Sequence, residues 1–67
     1  MNVMRIKTLR REKHLTQAQL AEKMGVINSA VANWEAETTL PRARQLPLLA
    51  AVLGCSINDL FVSAKEE

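Results

Sequence analysis

Asn28, Ser29, Ala32 and Asn33 are the residues whose types and spacing first suggest chemistry. On a helix turning about 100° per residue they share one side, and Ile27, Ala30, Val31 and Trp34 share the opposite one. One face is therefore apolar, while the other carries short, uncharged hydrogen-bonding groups. Exposed helix faces are usually rich in Glu and Lys, and Asn and Ser are poor helix formers. Something other than local stability selects this face. Asn can bridge N6 and N7 of an adenine, and Ser can meet several base edges, in a major groove that admits a helix.

Covalent and metal chemistry find little material. The single histidine, His14, and the single cysteine, Cys55, form neither a nucleophile–base–acid triad nor a zinc set. No glycine-rich phosphate loop is present, and a chain of 67 residues has little room for a deep pocket. An enzyme, a metal site and a cofactor are not expected. His14 falls where a helix ends and meets the negative pole of that helix. Cys55 reads as a small apolar filler; the alternative is a reactive thiol activated at a helix start. Trp34 lies beside Val31 on the apolar side, which favours core packing over stacking on a base.

The elements that must position the polar face are helices throughout. The first is expected from about Asn2 to Lys13, with Val3, Ile6 and Leu9 in one stripe, Arg10 on its flank, and Lys7 and Arg11 pointing away. Thr16 begins the second helix, with Gln19 completing a capping box and Leu15 and Leu20 a hydrophobic staple. Leu20, Ala21 and Met24 form its inner side, and Gly25 ends it in a left-handed conformation. The third helix runs to about Glu35, and a loop follows from Ala36 to Arg42. Pro47 belongs in a first turn, so a fourth helix starts near Gln45 or Leu46 and ends at Gly54. Ala43 and Arg44 are left to an irregular turn, and Leu46, Leu49, Ala50 and Leu53 face the core. Ser56 caps a short fifth helix, paired with Asp59, with Cys55 and Leu60 as staple.

Length bounds the chain to one domain, residues 1–67, with one small core. Hydrophobic residues make up 48% of it, too many for a disordered tail. The net charge is only +2, but Arg5, Lys7, Arg10, Arg11 and Lys13 crowd the first helix. The pI near 9.1 just reaches the range of nucleic-acid binders. One cysteine permits no intramolecular disulfide. No apolar run approaches membrane-spanning length, and no export signal opens the chain. A cytoplasmic protein without a membrane role is expected.

A capped helix, a glycine turn and a helix with a polar outer face form a two-helix clamp at about residues 16–35. The first helix sets its N-terminus against a DNA backbone, and the second enters the major groove. At "TQAQLAEKMGVINSAVANWE" the sequence resembles the Cro and phage-repressor helix-turn-helix family, also called the Xre family. "IKTLRREKHLTQAQLAEKMGV" and "LPRARQLPLLAAVLGCSINDLF" extend the likeness over about residues 5–61. It implies an all-α, five-helix, lambda-repressor-like fold with the third helix as reader. It also implies base contacts from Asn28, Ser29, Ala32 and Asn33. Phosphate contacts are implied for Gln17 at the second helix's start, where free backbone N–H groups favour an anion, and for Thr38, Thr39, Arg42 and Arg44. Arg10 and Glu35 match a structural ion pair.

Two departures stand out. Ile27 occupies the place where the family usually has a capping Ser or Thr. Ile cannot cap, leaving Asn28 as the alternative cap, which would spend the Asn28 side chain on N–H groups. Glu37 stands where Gly is common, and a left-handed conformation there would strain it.

The resemblance implies a sequence-specific regulator of transcription, a repressor acting as a homodimer on double-stranded DNA. Leu60 to Val62 or the loop near Leu40 are the candidate dimer surfaces. The competing reading is an antitoxin or other module that holds a protein partner on the same fold.

Overall fold

A computed structural model describes residues 3–62. It contains four α-helices: α1 (Ile6–Glu12), α2 (Gln17–Met24), α3 (Asn28–Ala36) and α4 (Leu46–Leu53). Two 3₁₀ turns, Ala43–Gln45 and Asn58–Leu60, precede and follow α4. The expected fifth α-helix is therefore corrected to a single 3₁₀ turn. Ser56 and Asp59 do exchange the expected bonds, Asp59 N–H to Ser56 Oγ at 3.2 Å and Ser56 N–H to Asp59 Oδ2 at 3.4 Å. The turn goes no further because Phe61 adopts an extended backbone and pairs with Met4 in an isolated antiparallel bridge.

The same bridge shortens α1. Its expected start at Asn2 lies outside the described residues, and the helix proper begins only at Ile6. Residues 3–5 instead pair by backbone hydrogen bonds with residues 60–62, and Arg5 stands outside the helical region at φ −109° and ψ 30°. Arg5 N–H donates to Leu60 O at 2.7 Å and Val62 N–H to Val3 O at 2.9 Å. Val3 consequently leaves the expected stripe and is exposed, and Met4 takes the core position in its place.

α2 starts as its sequence predicts. Gln19 N–H donates to Thr16 Oγ1 at 3.0 Å, and Thr16 N–H donates back to Gln19 Oε1 at 2.8 Å. Two of the helix's orphan donors are thereby satisfied. Gly25, at φ 71°, closes α2, and Val26 N–H reaches back to Ala21 O. That six-residue return turns the chain directly into α3. Pro47 sits in the first turn of α4, and Gly54 ends α4 in the left-handed region.

The core joins Met4, Ile6, Leu9, Leu20, Ala21, Met24, Val31, Trp34, Leu49, Ala50, Leu53 and Leu60. Leu46 is half-buried at its edge. Ala21 is small enough to let α3 approach α2 closely. Ile27 departs from the expected apolar side: it sits at the N-cap of α3, before the helical periodicity begins, and is 73% exposed. No helix among the described residues is long and apolar enough to cross a membrane.

Candidate nucleic-acid interface

Val31 and Trp34 anchor α3 to the core, which fixes which side of α3 faces out. Asn28, Ser29 and Asn33 are exposed on that outer side, and Ala32 is half-buried at its border. Asn28 is the first helical residue, not the cap. The cap position belongs to Ile27, and no side chain bonds the free N–H groups of the first turn. The Asn28 amide is therefore not spent on capping.

The end of α3 is held by two carboxylates. Glu35, nearly buried, accepts from Arg10 Nε at 2.5 Å, from Arg10 Nη2 at 3.1 Å and from Gln17 Nε2 at 3.0 Å. Arg10 also donates from Nη1 to Leu15 O at 2.7 Å, so one guanidinium pins the α1–α2 turn to α3. Burial alone would raise the Glu35 pKa. The bonds from Arg10 and Gln17, with the positive charges of Arg10 and Lys7, outweigh it and leave the carboxyl below its ordinary value.

Glu37, the second carboxylate, is in the left-handed region at φ 60°. The loop does adopt the conformation that disfavours a side chain, and Glu37 offsets it. Its Oε2 accepts from Val3 N–H at 2.8 Å and Met4 N–H at 3.2 Å. This tether ties the start of the chain to the end of α3. The sequence reading missed it, because nothing local marks a contact across 33 residues.

The phosphate candidates lie in three places. Gln17 is half-buried at the start of α2, and its amide already donates to Glu35, which orients it. Thr38 and Thr39 are exposed beside the end of α3, where both backbone N–H groups donate to Asn33 O at 3.0 and 3.4 Å. Arg42 and Arg44 are exposed around the first 3₁₀ turn, and the backbone of Arg42 is held by Gln45. Gln45 accepts from Arg42 N–H at 2.7 Å through Oε1, while its own N–H donates to Arg42 O at 2.8 Å. The spacing of Gln45, three residues after Arg42, carried that signal.

Cys55 is half-buried against the core. Burial, then the negative charge of Asp59, push its thiol pKa up, away from a reactive thiolate. No group of three His, Cys, Asp or Glu side chains converges as a metal site among the described residues.

The helix-turn-helix family model matches residues 6–60. The chain belongs to the helix-turn-helix family. Its relatives place it in the Cro and phage-repressor (Xre-type) branch of that family. It is 36% identical over 57 residues to YobD of Bacillus subtilis, an uncharacterized HTH-type transcriptional regulator, covering 85% of this chain and 51% of that protein. It is 39% identical over 56 residues to the immunity repressor of Bacillus phage phi105, covering 84% of this chain and 39% of the repressor. The chain thus spans about half or less of the length of these curated relatives.

Among solved structures, the P22 c2 repressor in complex with a synthetic operator is similar with TM-score 0.76 and 35% identity, over 81% of this chain and 82% of that one. SinR, a master regulator of biofilm formation solved in complex with DNA, gives TM-score 0.74 and 38% identity, over 82% and 92%. A Bacteroides fragilis protein gives TM-score 0.84 and 29% identity, over 92% and 100%. The curated relatives are named as regulators and repressors, not as enzymes.

Proposed function

We propose that this chain is a sequence-specific double-stranded DNA-binding module of a transcriptional regulator, a repressor working as a homodimer, with α3 in the major groove. The observation that carries the reading is the outer side of α3. Asn28, Ser29 and Asn33 stand exposed there, on a helix whose opposite side is locked by Val31 and Trp34. In this reading Asn28, Ser29 and Asn33 contact bases, with Ala32 against a base edge. Gln17, Thr38, Thr39, Arg42 and Arg44 contact phosphates and set the register. Arg10 and Glu35 hold the scaffold. The likeness to the P22 c2 repressor and SinR, each solved in complex with DNA, supports the assignment.

The dimer surface we propose is the paired end of the chain, where Val3, Phe61 and Val62 are exposed together around the Val62–Val3 hydrogen bond. Two copies would then read half-sites about 34 Å apart.

Fluorescence-anisotropy titration tests the reading, using duplexes tiled from the region upstream of the protein's own coding sequence and a randomised duplex library, at several salt concentrations. One duplex bound far more tightly than the rest, with a steep salt slope, supports it. Uniform, weak, salt-sensitive binding to every duplex refutes a sequence reader.

A further inference from the structure

We infer that Ile27 is a specificity residue that reads the 5-methyl group of a thymine at the edge of the site; the inference rests on the DNA-binding reading above. Ile27 is the most exposed of the large apolar side chains, at 73%. Its neighbours Val26 and Ala30 pack against the core, so Ile27 is outward by geometry and not by looseness of the turn. It immediately precedes Asn28 and Ser29, at the end of α3 whose counterparts in helix-turn-helix proteins approach base edges.

The choice of Ile at this position carries a cost. Its backbone, at φ −76° and ψ 156°, has the extended cap conformation, yet no side chain accepts from the N–H groups of α3. The same chain caps α2 with Thr16 and the last 3₁₀ turn with Ser56. A Ser or Thr would fit the same backbone and satisfy an orphan donor. Nothing within the described fold offsets the lost cap, because the Ile27 side chain has no polar atom and lies outside the core. In the major groove an apolar side chain has one matching partner, the thymine methyl, and only A·T pairs carry it. Burying the sec-butyl side chain of Ile27 against that methyl removes both from water. This returns the cost in the complex and discriminates against G·C at that position.

The experiment first recovers the tightest duplex by selecting the wild-type protein against a randomised duplex library. Each thymine of that duplex is then replaced singly by deoxyuridine, which deletes only the methyl. Wild-type affinity should fall about fourfold at one position of each half-site, the worth of one apolar carbon withdrawn from water. The Ile27→Ser variant should bind the thymine duplex less tightly, should not distinguish thymine from uracil there, and should melt several degrees higher because its cap is restored. A deoxyuridine scan flat for the wild type, or an equal loss in Ile27→Ser, overturns the inference while leaving DNA binding intact. A library that yields no preferred duplex overturns the DNA reading itself, and this inference with it.

Discussion

Replacing Glu37 separates two opposing effects at the end of α3. A side chain held at φ 60° costs about 1 kcal/mol relative to Gly. Against that, the carboxylate accepts two backbone N–H groups, from exposed Val3 and buried Met4. Hydrogen bonds to a charged group are worth about 1.5–3 kcal/mol each when shielded. Solvent reaches the Val3 bond, so about 1 and about 1.5 kcal/mol are reasonable here, about 2.5 together. Glu37→Gly loses the tether but relieves the backbone, for a net loss of about 1.5 kcal/mol. Glu37→Ala loses the tether and keeps the strain, for about 2.5 kcal/mol. In a domain of this size those losses lower the melting temperature by about 6–12 °C and 10–20 °C.

Thermal unfolding by circular dichroism gives the order wild type, Gly, Ala. Hydrogen exchange at the Val3 and Met4 amides should accelerate in both variants. A Glu37→Gly protein as stable as the wild type would show that the tether does not outweigh the strain, and would refute the reasoning.

Arg10→Ala strands Glu35 in a nearly buried site and should cost about 3 kcal/mol or more in denaturant melts; changing both residues to apolar ones of similar size should cost less than either single change. Because the Glu35 pKa is lowered on folding, its contribution is full above the ordinary value of 4.5 and is lost as pH falls through the lower folded value. Glu35→Gln should therefore flatten stability against pH below about 4.5, whatever its cost at neutral pH; an unchanged acid slope would contradict the pairing. Asn33→Ala should reduce discrimination between the selected duplex and a scrambled one by about 1–3 kcal/mol in anisotropy titrations. Arg42→Ala should instead weaken all duplexes nearly equally and lower the salt slope by about one.

Local rules made much of this protein legible in the sequence. Thr16 and Gln19, Gly25, Pro47, Gly54, and Ser56 with Asp59 act within a few residues of themselves, so their spacing announces the helix ends they form. The 3.6-residue period separated Val31 and Trp34 from Asn28, Ser29 and Asn33, since burial on one side of a helix leaves the other side free. The likeness to helix-turn-helix proteins added the Arg10–Glu35 pairing, which periodicity alone does not reveal.

Only the tertiary structure decided what happens where distant segments meet. Val3 carries on an apolar stripe compatible with helix, yet residues 3–5 stay out of α1 because Leu60, Phe61 and Val62 offer them backbone partners. The same pairing stops the last turn before it becomes a helix. Glu37 tolerates a left-handed backbone because its carboxylate finds two N–H groups at the far end of the chain, and Ile27 stays in solvent because the turn after Gly25 points it away from the core. A sequence pattern records the preferences of each segment; which segments touch is set by the packing of the whole core.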